Sequence, residues 1–198
     1  MEQLLLELLP PDPPQISNFL PGPNREVLAH LAARLQGGSA ETSIYLWGPL
    51  ACGKTHLLRA TLAQMGQGTY WHPGDSWPDL ESQSFVAVDD VERLDEQEQA
   101  RLFTLLNQAR TSGGLLLAAG ALPPARLALR EDVRTRLGWG LVLELKTLSD
   151  EEKPLALVDY ARTRGFTIPI EVIDYMLHHG RRDMGTLLRQ IATLDRQS

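Results

Sequence analysis

A single cysteine, Cys52, occurs in 198 residues, so no intrachain disulfide can form and nothing points to an oxidising compartment. Positive charge is in short supply. Nineteen Lys and Arg face 25 Asp and Glu, a formal net charge of −6. Without a phosphate-neutralising excess, strong direct binding to DNA is not expected. Long apolar runs are also missing. Leu115 to Ala119 is far too short to cross a bilayer. The leading Leu4-Leu5-Leu6 is flanked by Glu2 and Glu7 with no basic segment before it, which argues against a secretory signal. The expectation is a soluble, cytoplasmic protein with no membrane partner. What is present is ordinary for a globular chain: 43% hydrophobic and 22% charged residues, enough for one fair-sized domain or a domain with a small helical appendage. No internal repeat is evident.

Residues 9–17 carry four prolines, too many for a helix or a central strand, and read as an extended linker behind a short N-terminal peptide, residues 1–8. From residue 18 to about 146 the pattern alternates. Asn24 is placed to cap a helix with Val27, Leu28, Leu31, Ala32 and Leu35 on one face, ended by Gly37-Gly38-Ser39. Ile44–Trp47 reads as a strand, His56–Met65 as a helix, and Thr69–Trp71 as a second strand. Phe85–Val88, Leu115–Ala119 and Leu141–Leu145 are apolar runs of the kind that parallel sheets bury on both faces. Asp95 and Glu98 form a capping-box start for a helix to about Arg110. The fold class is therefore α/β, a parallel sheet flanked by helices. Residues 147–198 contain no strand pattern. They read as three amphipathic helices: one opened by Ser149 and Glu152 with Leu155, Val158 and Ala161, one opened by Pro169, and one capped by Asp183.

The chemistry concentrates where the first strand meets its helix. Gly48-Pro49-Leu50-Ala51-Cys52-Gly53-Lys54-Thr55 fits G-x-x-x-x-G-K-[ST]. Gly48 and Gly53 let successive backbone N–H groups converge on phosphate oxygens. Lys54 reaches the outer phosphates and the Thr55 hydroxyl is placed for Mg2+, while the helix behind, from His56 on, offers its positive dipole end. A ligand-free Gly-rich turn is the plain alternative, but the strand before and the helix after supply the context the motif needs. Asp89 and Asp90 follow the Phe85–Val88 strand, at the edge where α/β sheets bind ligands. Asp89 is expected to hold Mg2+ through its water shell, and Asp90 to orient or deprotonate a water attacking the terminal phosphate. Cys52 reads as a tolerated small residue within the loop.

Together with these motifs, Asn18-Phe19-Leu20-Pro21-Gly22-Pro23-Asn24 and Arg136-Leu137-Gly138-Trp139-Gly140-Leu141 resemble the AAA+ core of the replication initiator DnaA, over about residues 16–196. The chain ends at Ser198, where the three-helix lid ends, without the DNA-binding helix-turn-helix domain of the initiators. With the acidic charge, this resembles the short Hda branch of the family, the regulatory inactivators of DnaA. The resemblance implies an AAA+ P-loop core with a C-terminal helical lid, ADP or ATP with Mg2+ as cofactors, and Phe19, Leu20 and Pro21 against the adenine base. It also gives Gln3, Leu4, Leu6 and Leu8 as an extended peptide docking on the polymerase sliding clamp; the plain alternative is the first turn of a core helix. Arg136, or less favoured Arg134, would be the arginine finger acting on the ATP of DnaA. For either arginine the plain alternative is a salt bridge.

Two family sensors are absent. Gly120-Ala121 stands where the initiator has a polar sensor, and Gly185 where it has a sensor arginine, with Arg181 and Arg182 close by. Weak or absent intrinsic ATP hydrolysis is the expectation. Three functions compete: a clamp-tethered regulator of DnaA hydrolysis, a self-contained AAA+ ATPase of helicase-loader type, and a non-catalytic clamp adaptor. Association with DnaA or with further copies of this chain would each suit an AAA+ interface.

Overall fold

The computed structural model describes residues 13–76, 85–163, 165–179 and 184–195. The chain divides into two compact units, Pro14–Leu148 and one built on Ser149–Ser198.

In the larger unit, β1 (Ser43–Trp47), β2 (Thr69–Trp71), β3 (Phe85–Val88), β4 (Leu115–Gly120) and β5 (Leu141–Glu144) form a sheet in the order β2-β3-β4-β1-β5. Every pairing is parallel. Both faces are covered, which explains strands with no polar alternation. Alternate residues nonetheless serve different layers. Ile44, Leu46, Phe85, Ala87, Leu117 and Ala119 pack with Val27 and Leu31 of α1 (Arg25–Leu35) and Leu57 and Leu58 of α2 (Lys54–Met65). Tyr45, Trp71, Val86, Val88 and Leu116 pack with Leu102 and Leu106 of α3 (Glu96–Ser112) and Val133 and Leu137 of α4 (Glu131–Leu137). Each fully buried aliphatic side chain contributes about 1.5–3 kcal/mol.

Helix ends follow local chemistry. Asp95 Oδ1 accepts from Glu98 N at 2.8 Å and Glu98 Oε2 from Asp95 N at 2.9 Å, so the expected capping box forms. Asn24 holds the N-cap position of α1, but its side chain makes no cap hydrogen bond. Instead its amide is buried and bridges Lys146, donating to its carbonyl and accepting from its N–H, both at 2.8 Å. Two long-range backbone partners win over one local cap, and stranding them would cost about 1–3 kcal/mol each. Ile16 and Ser17, read as part of the extended linker, lie in a single 3-10 turn, Ile16–Asn18. Asn18 Oδ1 accepts from Gln15 N at 2.9 Å, a local bond that the extended form lacks.

The smaller unit holds α5 (Glu152–Thr163), α6 (Ile170–His179) and α7 (Met184–Asp195). Ser149 and Glu152 cap α5 reciprocally, at 2.8 and 3.1 Å. Pro154 falls in the first turn, where no intrahelical N–H partner is lost. The buried stripe of α5 is Leu157, Tyr160 and Ala161, whereas Leu155 is 67% exposed. The apolar face is thus rotated from the one expected on Leu155. Among the positions whose burial is described, Leu187 and Ile191 of α7 and Ile173 of α6 are buried. Among the described residues no helix is long and apolar enough to cross a membrane.

Candidate functional site

The run Gly48–Gly53 joins the C-terminal end of β1 to the first turn of α2. Glycine is required at both ends for steric reasons. A Cβ on Gly48 would strike the Leu145 carbonyl oxygen. Gly53 has φ +100°, and a Cβ there would lie 2.6 Å from the Phe19 ring. Leu57 N donates to Gly53 O, the first helical bond, so the N–H groups of Lys54, Thr55 and His56 precede it and face the loop end of the helix dipole. Lys54 is buried, and its ammonium donates to the carbonyls of Gly48 at 2.8 Å and Pro49 at 3.0 Å. Pro49, Leu50 and Ala51 form the exposed outer turn of the loop, with Leu50 93% exposed.

Among the described residues, the non-glycine positions with φ in the left-handed region are Ala51 (+62°) and Asp90 (+43°). Both belong to this site, where such strain concentrates in proteins that bind ligands. Asp90 follows Asp89 at the end of β3. The Asp89 carboxylate is 1% exposed. Its Oδ2 accepts from Thr55 Oγ1 at 2.6 Å and from the Tyr70 hydroxyl at 2.8 Å, and its Oδ1 accepts from Asp90 N at 3.0 Å. Asp90 Oδ2 lies 3.2 Å from His72 Nε2 and 3.7 Å from Arg93 Nη1. Burial, reinforced by the Asp89 carboxylate, pushes the Tyr70 phenol up to about 12, so it stays a donor. The Arg59 guanidinium lies 4.0 Å over the Tyr70 ring.

These residues fit a magnesium nucleotide. A buried carboxylate is costly without a cation, and among the described residues Asp89 has only neutral donors and no ion pair. No cluster of three or more His, Cys, Asp or Glu among the described residues could cage an ion. A cation here would be held by Thr55, the Asp89 water shell and phosphate oxygens, the usual arrangement for Mg2+. Burial pushes the Cys52 thiol up, against the pull of Lys54 3.8 Å away, so it is no ready nucleophile.

Phe19 lies against Gly53 and tilts 47° to the His56 ring at 5.8 Å; Leu20 is half-buried and Pro21 exposed. His56 Nε2 lies 2.9 Å from Gln15 O, tying the segment before Phe19 to the nucleotide helix. Burial holds the His56 imidazole below its ordinary range, with the Gln15 carbonyl pulling the other way.

The second arginine-bearing segment sits elsewhere. Gly140, where a Cβ would hit Ser43, packs against the start of β1, and Leu141 pairs with Ile44. Arg136 therefore lies by the start of β1 and Lys54 beyond its end, with five strand residues, roughly 15 Å of β1, between those two ends. The Arg136 guanidinium stacks 3.9 Å over Trp139 and 5.4 Å from Phe103, and the Arg110 guanidinium lies 5.2 Å from the Trp139 ring. Among the described residues no carboxylate forms an ion pair with Arg136. Trp139 is 57% exposed, and a groove of 640 Å³ opens between Phe103, Arg136 and Trp139. Arg134 instead turns a buried Nε inward without a hydrogen-bond partner among the described residues. Ala121 is exposed beyond β4, and a Cβ on Gly120 would strike the Tyr45 hydroxyl and crowd Glu92. Gly185 is exposed at the second position of α7.

Gln3, Leu4, Leu6 and Leu8, and Arg181, Arg182 and Asp183, lie outside the described residues. Sequence reading missed Tyr70, His72 and Arg59. The available signal was spacing: Tyr70 lies in β2 and His72 just past its end, two residues apart, where the strand runs toward the acid pair.

Residues 150–198 match the family model for the Hda lid domain. The chain is also similar to solved structures. The replication initiator DnaA bound to AMPPCP and single-stranded DNA is 20% identical, with 90% of this chain and 64% of that chain covered and a TM-score of 0.74. AMPPCP-bound DnaA from Aquifex aeolicus is 21% identical over 90% of this chain and 64% of that one, also with a TM-score of 0.74. Domain III of DnaA from Thermotoga maritima is 19% identical over 91% and 87%, with a TM-score of 0.73. The chain thus spans slightly less than two thirds of the two AMPPCP-bound initiator chains, and at these identities the likeness establishes the fold.

Proposed function

We propose that this chain, whose residues 150–198 match the Hda lid domain and whose fold is similar to that of DnaA, is a DnaA-like AAA+ protein of the Hda type that regulates replication initiation. It binds adenine nucleotide with Mg2+ at Gly48–Thr55, Asp89 and the Phe19–Pro21 segment. It docks on the DNA polymerase sliding clamp through Gln3, Leu4, Leu6 and Leu8. Its Arg136 then enters the ATP site of DnaA and stabilises the charge that develops on the transferred phosphoryl group.

The observation that carries this reading is the location of Arg136. It lies at the far end of β1 from Lys54, is presented on aromatic faces, and has no ion-pair partner among the described residues. An arginine so placed cannot serve its own phosphate loop, but is available to a site on a second molecule. The AMPPCP in the DnaA structures supports the same reading of Gly48–Thr55 as an adenine nucleotide site. Residues 18–146 are the nucleotide-binding core in this scheme and residues 147–198 the lid.

A self-contained ATPase is the second reading, favoured by the intact Thr55–Asp89 pair. The side chains against it are Ala121 and Gly185, which cannot touch a terminal phosphate, and Asp90, already engaged by His72. One experiment separates the two. ATP hydrolysis by DnaA is followed with and without this protein and DNA-loaded clamp. Stimulation is expected, and it is expected to vanish when Gln3 and Leu4 are both replaced by Ala. Turnover by this protein alone above roughly 1 s⁻¹, the lower range of ordinary enzymes, would establish the second reading instead.

A further inference from the structure

Asp89 is heavily engaged in the nucleotide site, and one of its two side-chain partners, Tyr70, has no part in the phosphate-loop motif. A carboxylate offers about four lone-pair sites. Asp89 commits two on Oδ2, to Thr55 and Tyr70, and one on Oδ1, to Asp90 N. The Thr55 hydroxyl has lone pairs to spare, so it can face a cation and keep its proton on Asp89 at the same time. Tyr70 has no such second task. Its ring is fixed by the pairing of β2 with β3, which sets Tyr70 beside Ala87, and by the Arg59 guanidinium 4.0 Å above it. Its hydroxyl ends 2.8 Å from the carboxylate.

We propose that Tyr70 is the positioning residue for the divalent cation of this site, locking the plane of the Asp89 carboxylate so that its remaining lone pair meets the water shell of the ion. The inference rests on the reading of Asp89 and Thr55 as the cation's holders. Without the phenol, Oδ2 keeps Thr55 alone while Oδ1 keeps the Asp90 N–H, and a water that replaces the lost donor can draw the carboxylate out of its plane. Outer partners of this kind typically change metal affinity by about 10- to 100-fold. Tyr70 lies outside the phosphate loop, and its hydroxyl is spent on Asp89, so its loss is expected to leave metal-free nucleotide binding alone.

The test is titration of the full chain with ADP, once in Mg2+ and once in EDTA, for the native protein and Tyr70→Phe, with melting temperature recorded for both. The native protein binds more tightly in Mg2+. In Tyr70→Phe, affinity in EDTA stays within about twofold of native while the gain from Mg2+ shrinks roughly tenfold. An equal loss in both media would mark a general packing role and overturn the proposal, as would an undiminished gain from Mg2+. If the native protein shows no gain from Mg2+, the reading of Asp89 itself fails and takes the proposal with it, an outcome separate from the other two. Should Tyr70→Phe not fold, Arg59→Ala serves in its place. Arg59 is exposed, and removing its stack on the ring is expected to cut the Mg2+ gain about twofold; an unchanged gain would overturn the proposal.

Discussion

The two ends of β1 handle charge in opposite ways. At the C-terminal end, charged groups are buried and each is satisfied by named donors or acceptors: Lys54 on two loop carbonyls, Asp89 on three donors. At the starting end, Arg136 is half-buried and held by π faces, which orient a guanidinium without using its N–H donors. The first arrangement turns its charges toward partners within the chain. The second presents a cation outward. Under the proposed function, binding belongs to one edge of the sheet and action on a partner to the other.

The comparison can be broken at either end. Lys54→Ala should have the largest effect on the chain itself. It removes a charged donor and strands two carbonyls, and nucleotide affinity should fall about 100-fold by calorimetry. A loss under about threefold would mean that the buried ammonium serves the loop rather than a ligand. Trp139 tests the other edge. Trp139→Ala should lower stimulation of the partner's hydrolysis about threefold with nucleotide binding intact, and Trp139→Phe should keep most of it, because a ring still faces Arg136. Equal loss in both variants would point to a contact made by the indole itself.

The smallest effect belongs to His56. Burial sets its folded pKa below the ordinary 6.5, so the unfolded chain takes up the proton first. This group therefore costs nothing above about pH 6.5, and it lowers stability progressively as pH falls through its folded value. Thermal melting from about pH 7.5 to about pH 5.5 should show a decline that is shallower in His56→Gln. Parallel profiles for the two proteins would remove His56 from the account.

What could be read from the sequence depended on whether the cause was local. The strand–loop–helix around Gly48–Thr55 has its reasons within its own residues, and the buried strands announce themselves by composition. The Asp95 capping box is likewise local, with partners three residues apart. By contrast, α4 went unread. It is seven residues long, mostly charged, and owes its stability to Val133 and Leu137 packing in the layer with α3. Asn24 looked like a cap because its local spacing allows one; its actual partner, Lys146, arrives only when β5 joins the sheet beside β1. Tyr70 and His72 reach the acid pair only through the β2–β3 register. The stack of Arg136 on Trp139, three residues on, was within reach of the sequence, whereas the Phe103 and Arg110 contacts required α3 to be in place.

The most direct test of trans action is Arg136→Ala in the coupled assay of DnaA, ATP and DNA-loaded clamp. The account predicts that DnaA hydrolysis falls to its unassisted rate, while this protein keeps its own nucleotide affinity and melting temperature. Stimulation that persists in Arg136→Ala, or a loss of nucleotide binding by the variant itself, would contradict the division of labour between the two ends of β1.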